Sequence, residues 1–232
     1  MLKNPQFSDF GTTNFFAFLH FQAAFREFFR KGPADAMPLI VFSEHNPCYS
    51  LKPREYENAK EYFRAPLIRI DPEVFVAAGD DLIPVRIVPL KIKGGMACYH
   101  GPGVLGVYII GKFFSGPREF LLILSEIFEK TLNDCGLKPA RITNPYDLWV
   151  SGKKVAAFGI ISSYLPDGSI LTGGGANIHY GANQKHLEAI WPCGDRAGIA
   201  GSIREFVPGI TRKWLVDNLK NNLTEGLKFL IK

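Results

Sequence analysis

The sequence predicts an α/β (α+β) fold, organised as a single domain with a mixed sheet flanked by helices. Short runs rich in β-branched and aromatic residues alternate with longer segments whose apolar residues recur at helical spacing. Strand clusters separated by helices are typical of this class. The chain of 232 residues contains no internal repeat and no low-complexity linker, so we expect residues 1–232 to form one domain.

Three segments have the periodicity of amphipathic helices. The first is about five turns long, begins after the capping residue Asn14 and ends near Gly32. Its phenylalanines recur at helical spacing and are expected to lie in the core: Phe18, Phe21, Phe25 and Phe28. The second covers residues 118–133, with Gly136 where a C-terminal cap belongs. The third, residues 211–232, closes the chain.

The predicted strands are short apolar runs bounded by glycine, proline or polar residues. They cover residues 38–43, 67–70, 83–90 and 104–110, followed by a hairpin in which residues 148–150 and 154–160 flank a turn. Between the third and fourth strands, residues 93–103 include five glycine or proline residues in eleven. Such a loop can hold an anion or an extended chain, but it has neither G-x-G-x-x-G nor G-K-S/T, so the motifs do not support nucleotide binding.

Lys154 is the first candidate for a chemical role. Because side chains alternate along a strand, Lys154 is predicted to share a face with Ala156 and Phe158, while Lys153 lies at the turn and reaches water. If that face is buried, the ammonium group of Lys154 needs a partner or a lowered pKa. The alternative is a lysine at a strand end whose ammonium extends to the surface.

Cys193 is the second candidate. It lies between Pro192 and Gly194, after a segment, residues 184–191, that is predicted to be a short helix or an irregular connection. Proline and glycine can present a cysteine at a tight turn, where the backbone approaches a ligand closely. The alternative is a buried structural thiol, the usual state of a single cysteine.

Composition excludes several function classes. The formal charge of +5 favours acidic partners, yet no block of five or more basic residues suggests a nucleic-acid partner. The four cysteines form no C-x-x-C pair, so no zinc site or disulfide framework is indicated and the reducing cytoplasm is the expected compartment. Polar residues interrupt the apolar cluster at 15–29, which argues against a signal peptide and a membrane span.

Four motifs occur in the order and spacing of the lipoyl(octanoyl) transferases, and the chain resembles that family from about Gln22 to Cys193. The motifs are Glu44-His45-x-Pro47-x-Tyr49-Ser50-Leu51, Gly94-Gly95-x-x-x-Tyr99-His100-Gly101-Pro102-Gly103, Trp149-Val150-x-Gly152-x-Lys154-Val155-Ala156-Ala157-x-Gly159 and Pro192-Cys193-Gly194. The resemblance implies the fold shared by biotin and lipoate ligases, with residues 1–232 as one catalytic domain.

The resemblance also implies an activity. A member of this family transfers an octanoyl or lipoyl group from octanoyl-acyl carrier protein to a lysine of a lipoyl domain, the first step of protein lipoylation. The acceptors would be lipoyl domains of 2-oxoacid dehydrogenase complexes or the glycine cleavage H protein. No metal, nucleotide or other cofactor is implied, and neither a nucleic acid nor a membrane is an expected partner.

The resemblance assigns roles to particular residues. Cys193 would be the nucleophile, and Lys154 would favour its thiolate, the form that thioester exchange requires. The loop residues lining the acyl site would be Lys93, Gly94, Gly95, Met96, Ala97, Cys98, Tyr99 and His100. Further contacts, largely through the backbone, would come from Ala157, Phe158, Gly159, Gly174, Gly175 and Ala176.

The chain departs from the family pattern at three places. Lys93 replaces an arginine, Cys98 replaces a threonine, and the segment 173–178 lacks a histidine that the family usually has there. Among the other histidines, His45 is expected to be structural, whereas His179 and His186 are expected at the surface. Three competing functions are an ATP-dependent lipoate ligase of the same fold, a thioesterase using Cys193 and His100, and a non-catalytic acyl-binding protein.

Overall fold

The computed structural model describes residues 4–33, 36–88, 97–140, 146–191 and 199–229. Within them, an eight-stranded mixed sheet and a five-stranded sheet are flanked by helices, which confirms the predicted α/β class. The strands are β1 Gln6–Thr13, β2 Leu39–His45, β3 Cys48–Leu51, β4 Leu67–Ile70, β5 Glu73–Ala78, β6 Asp81–Ile87, β7 Cys98–His100, β8 Val104–Phe113, β9 Leu148–Val150, β10 Lys153–Gly159, β11 Ser162–Tyr164, β12 Ile170–His179 and β13 Ile199–Ala200. The helices are α1 Phe15–Lys31, α2 Pro53–Glu57, α3 Pro117–Asp134, α4 Gln184–Glu188 and α5 Arg212–Gly226.

The large sheet has the strand order β1-β2-β8-β12-β10-β13, with β9 on β10 and β11 on β12. Its pairings are antiparallel except for β1 with β2 and β10 with β13, which are parallel. Helices cover both of its faces. Along β2, Ile40 and Phe42 point into the core beneath α3 and α5, while Leu39 and Val41 point into the core beneath α1. This two-sided burial explains why residues 39–42 of β2 are all apolar instead of alternating with polar residues.

Helix α1 begins and ends where the sequence predicts. The side-chain oxygen of Asn14 accepts hydrogen bonds from the backbone amides of Phe16 and Ala17, and this N-cap fixes the first turn. The prediction that the whole phenylalanine stripe is buried is wrong at one end. Phe18 is buried, but Phe28 is 63% exposed, and the last turn packs on the core through Phe29 instead.

Helices α3 and α5 pack against each other and cover the other face of the large sheet. Leu124 and Phe128 of α3 and Leu219 of α5 are fully or almost fully buried. Gly136 follows α3 with a φ of +84°, the left-handed conformation that a glycine adopts most easily, as the predicted C-terminal cap requires. Among the described helices, none is both long enough and apolar enough to cross a membrane.

The smaller sheet has the order β4-β5-β6-β3-β7 and its own core. The α4 segment packs on this core through Leu187 and Ile190, and so does Ala200 of β13, which belongs to the large sheet. The second core therefore joins the smaller sheet to one end of the large sheet. The sequence did not predict β5, which lies between two predicted strands, or β12, the long strand that contains three consecutive glycines.

Candidate functional site

Strands β9 and β10 form the predicted hairpin. Ser151 and Gly152 have φ values of +47° and +78°, the signs that a two-residue turn of this kind requires. The register then shifts between Lys154 and Ala156, so Val155 is the extra residue of a bulge. A bulge interrupts the alternation of side chains, and this overturns the predicted face shared by Lys154, Ala156 and Phe158. Ala156 and Phe158 pack in the main core, whereas Lys154 lines a cavity.

Lys154 is buried, not extended to the surface. Its side chain is 3% exposed, and Nζ lies 2.6 Å from Oδ2 of Asp147, whose side chain is 2% exposed. The other carboxylate oxygen, Oδ1, accepts a hydrogen bond of 3.1 Å from the amide of Phe158. The charge of Lys154 is therefore balanced within the protein, as a buried ammonium requires.

Lys153 has a different environment. Its side chain is 31% exposed and its Nζ forms an ion pair with Glu205, away from Asp147. The prediction that only one of the two neighbouring lysines faces the interior is confirmed, although the bulge, not simple alternation, sets the direction of Lys154.

The cavity beside Lys154 contains several groups capable of chemistry. Cys98 and Tyr99 of β7 approach from the smaller sheet, and Asn177 and His179 of β12 approach from the large sheet. Among the sequence-predicted site residues, the structure thus brings Lys154 together with Ala97, Cys98, Tyr99 and Ala157. The apolar part of the lining consists of Ala97, Ala157, Leu187, Ile190 and Ala200.

The chain on both sides of Cys193 leads to this cavity. Cys193 lies outside the described residues, in the interval 192–198. Ile190, three residues before Cys193, and Ala200, after the interval, both line the cavity. Three residues of fully extended chain span at most about 11 Å.

His179 is buried, so its predicted place at the surface is wrong. It is 8% exposed, and its Nδ1 has no hydrogen-bond partner among the described residues. Burial lowers the pKa of the imidazole to about 4, with a smaller contribution from the charge of Lys154. The ring is therefore neutral at physiological pH.

His186 is also buried, so its predicted place at the surface is wrong as well. Its ring holds the side chain of Tyr99 through a hydrogen bond. Nε2 of His186 lies 2.7 Å from Oδ2 of Asp81, and Nδ1 lies 2.9 Å from the hydroxyl of Tyr99. Because a carboxylate only accepts, Nε2 donates to Asp81, and in the neutral ring Nδ1 accepts from Tyr99. Gly101 leaves room for this arrangement, since a Cβ there would lie 2.1 Å from the Tyr99 hydroxyl oxygen.

The turn after β7 is held by Glu44. Its Oε2 accepts a 2.8 Å hydrogen bond from the amide of Gly103, and its Oε1 accepts one of 2.7 Å from the hydroxyl of Tyr180. Gly103 has a φ of +82°, and a Cβ there would lie 2.2 Å from the carbonyl carbon of Gly181. Glu44 and the turn glycines of the motif therefore form one structural unit.

Several other predicted site residues lie away from the cavity lining. His100 does not line the cavity; its Nε2 lies 2.9 Å from Oγ of Ser50, and its ring stacks on Phe15 at 4.0 Å between centroids. Phe158 and Ala176 pack in the main core. A Cβ on Gly174 would lie 2.8 Å from the carbonyl oxygen of Gly159.

Gly175 is equally confined, because a Cβ there would lie 1.8 Å from the carbonyl oxygen of Val107. The glycines of β12 thus permit close approach between neighbouring strands. Four predicted loop residues lie outside the described residues: Lys93, Gly94, Gly95 and Met96.

Sequence reasoning missed three residues of the site, namely Asp147, His179 and Asn177. Asp147 carried a local signal, because an acidic residue seven positions before a candidate buried lysine lies directly before the first strand of the hairpin. Asn177 and His179 are two residues apart on β12. Because successive side chains of a strand point to opposite faces, recognising β12 would have placed these two on the same face. In the described residues, no three His, Cys, Asp or Glu side chains form a group that could hold a metal ion.

The lipoyl protein ligase A/B catalytic domain family matches residues 90–227 of the chain. The octanoyltransferase of Nostoc punctiforme is 33% identical over 123 residues, which cover 51% of this chain and 51% of that protein. The octanoyltransferase of Clostridium kluyveri is 28% identical over 134 residues, covering 56% of this chain and 55% of that protein. The chain thus spans about half the length of the curated relatives it matches.

Solved structures agree on the fold. Lipoate-protein ligase A bound with ATP aligns with a TM-score of 0.68 at 14% identity, covering 97% of this chain and 86% of that one. A bi-partite lipoate protein ligase of Thermoplasma acidophilum, solved in a study of that ligase and its E2 lipoyl domain, aligns with a TM-score of 0.64 at 14% identity, with coverages of 97% and 84%. Identities this low speak to the fold alone.

Proposed function

Because the chain belongs to the lipoyl protein ligase A/B catalytic domain family, we propose that it transfers an octanoyl or lipoyl group from acyl carrier protein to a lysine of a lipoyl domain. The whole chain, residues 1–232, would act as one catalytic domain, with Cys193 as the nucleophile. The names of the curated relatives support the acyl group, and the lipoyl domain in the Thermoplasma acidophilum system supports the class of acceptor.

One observation carries the proposal: a buried lysine, Lys154, lines a cavity to which the chain on both sides of Cys193 leads. A thiol with an ordinary pKa of about 8.5 is mostly protonated at neutral pH, and a nearby ammonium group favours the thiolate. Ile190, three residues before Cys193, lines the same cavity as Lys154. This arrangement supports thioester chemistry.

The reaction has two group transfers. The thiolate of Cys193 attacks the thioester carbonyl carbon of the acyl carrier; a new carbon–sulfur bond forms, and the carrier thiolate leaves and takes up a proton. The amine of the acceptor lysine then attacks the enzyme thioester, forming a nitrogen–carbon bond. The Cys193 sulfur leaves with the electron pair, and the proton lost by the nitrogen returns to it.

The site does not favour the Cys-His thioesterase. That reaction needs a basic histidine beside the nucleophile, but His100 binds Ser50 and lies outside the lining of the Lys154 cavity. His179 lines the cavity, yet burial lowers its pKa to about 4, too low for a general base at neutral pH. The ATP-dependent ligase remains an outcome of the experiment below, because it activates a free acid and does not require a cysteine.

The decisive experiment is intact mass measurement after incubation with octanoyl-acyl carrier protein. We expect the wild-type chain to gain one octanoyl group and Cys193→Ala to gain none. Cys98→Ser is the matched control, because Cys98 is the described thiol in the same cavity, and it should still be acylated. Acylation of Cys193→Ala would overturn the nucleophile assignment. Lipoylation by Cys193→Ala that consumes ATP would establish the ligase instead.

A further inference from the structure

His179 is a buried polar group of the Lys154 cavity, and the proposed chemistry has not used it. It ends β12, is 8% exposed and lines the cavity together with Lys154. Its Nδ1 has no hydrogen-bond partner among the described residues. A buried polar atom without a partner destabilises the fold, so native structures rarely keep one without a purpose. An open polar atom at a cavity wall is suited to a ligand atom.

The ring offers an acceptor at Nδ1. The imidazole ring of His179 forms hydrogen bonds with the backbone of Lys154 and Gly201, and these raise its pKa. Such an effect is expected when the ring is the donor. Because Nδ1 is the unpartnered nitrogen, the donated proton belongs to Nε2, which leaves the lone pair on Nδ1. Burial, followed by the charge of Lys154, holds the pKa near 4, so this lone pair is available at physiological pH.

The charges around the ring also suit an amine. Lys154 on β10 is paired with Asp147 at 2.6 Å, so this pair carries no net charge. The groups facing the cavity from β7 are the Cys98 thiol and Tyr99, whose pKa is raised by burial, so that it stays a phenol. An entering amine therefore meets an acceptor in His179 and no unopposed positive charge.

We propose that His179 orients the amine that receives the acyl group, with Nδ1 accepting a hydrogen bond from the attacking nitrogen. This inference rests on the proposed acyl transfer and assigns its second step a positioning residue. The ring does not take the proton; the nitrogen–carbon bond forms, the carbon–sulfur bond breaks, and the proton of the nitrogen goes to the leaving sulfur.

Two substitutions separate the nitrogens of the ring. In His179→Asn the side-chain amide lies near the former Nδ1, and in His179→Gln it lies near the former Nε2. We expect both variants to form the acyl-enzyme at the wild-type rate by intact mass. Transfer to a lipoyl domain should slow about tenfold in His179→Gln, the order of one lost hydrogen bond, and less than about threefold in His179→Asn. The loss should appear in kcat/KM for the acceptor.

The inference is overturned if His179→Gln transfers as well as His179→Asn, or if both variants lose acyl-enzyme formation to the same extent as transfer. Failure of the proposed function is a different result, namely no acyl-enzyme in the wild-type chain. A second measurement does not need turnover. Nα-acetyl-lysine methylamide, titrated into protein with ¹⁵N-labelled histidine, should shift the Nδ1 resonance of His179, assigned with His179→Asn. An unchanged resonance would contradict the contact.

Discussion

The side chain of Lys154 is 3% exposed, so water screens its positive charge poorly. A second charge lies beside it, however. Two unit charges about 4 Å apart interact by roughly 4 kcal/mol at an effective dielectric of 20, which is about three pKa units. Asp147, 2.6 Å from the ammonium, opposes this field. The effect of Lys154 on a nearby thiol is therefore the small difference between two larger effects.

We expect Lys154→Met to raise the thiol pKa of Cys193 by about one unit and Asp147→Asn to lower it by a similar amount, because each change leaves the opposite partner unbalanced. Lys153→Met should leave the thiol pKa unchanged, since Glu205 holds that lysine elsewhere. The measurement is the rate of Cys193 alkylation against pH, with Cys48, Cys98 and Cys135 replaced by serine.

The double variant Lys154→Met with Asp147→Asn controls for the buried charge that either single change leaves behind. Its thiol pKa should lie between those of the single variants. Equal shifts for the two lysine variants would show that Cys193 does not respond to Lys154.

At the scale of elements, the β9–β10 hairpin decides which lysine enters the cavity. Its tight turn fixes the register at Lys153, and the bulge at Val155 sends Lys154 away from the core side of β10. A one-residue shift of the register, or loss of the bulge, would exchange the environments of Lys153 and Lys154, because side chains on a strand alternate.

The turn can be tested with two glycines that have equal space but different backbone conformations. A Cβ added at Gly152 or at Gly209 meets nothing within 4 Å, yet of these two glycines only Gly152 has a positive φ, +78°. Gly152→Ala should lower the free energy of unfolding by about 1 kcal/mol, the cost of the left-handed conformation. Gly209→Ala should change it by less than about 0.5 kcal/mol.

Urea unfolding followed by circular dichroism gives both values. If the two variants lose equal stability, the turn does not set the register.

Elements with a strong local signal were predictable from the sequence. Helix α1, with its Asn14 cap, and the hairpin around Gly152 follow from capping, periodicity and turn chemistry. The burial of His179 did not follow, because it depends on strands that pair across the sheet. Asp147, the partner of Lys154, lies directly before the hairpin and was missed despite its local signal. The bulge at Val155 was also inaccessible, since an extra residue on one strand is defined only relative to the other.

At the scale of the whole molecule, the cavity lies where the two sheets meet, and polar contacts hold α4 to the smaller sheet beside it. The hydroxyl of Tyr49 donates to the carbonyl oxygen of His186 at 2.8 Å, and His186 in turn binds Tyr99. Within the large sheet, His45 of β2 links β1 and β8, with Nδ1 3.0 Å from Oγ1 of Thr13 and Nε2 2.7 Å from the hydroxyl of Tyr108.

These buried histidines make the fold sensitive to acid. Burial lowers the pKa of His45 from 6.5 to about 4. Between those values the unfolded chain binds more protons than the folded one, so the free energy of unfolding falls as pH is lowered. The contribution of the neutral ring is complete above about pH 6.5, and its loss on acidification approaches roughly 3 kcal/mol.

We therefore expect His45→Gln to flatten the dependence of unfolding free energy on pH between about 6.5 and 4. Urea titrations at several pH values provide the comparison. An identical slope in the variant would mean that His45 titrates alike in both states.

The pairing of Lys154 with Asp147 also bears on how this sequence can diverge. Removing one partner of a buried ion pair costs about 3–5 kcal/mol, whereas replacing both by apolar residues of similar volume can be neutral. The two positions are seven residues apart and share the same ion pair. Among descendants of this chain, the two residues should persist or disappear together, so a lineage that has lost one should also have lost the other.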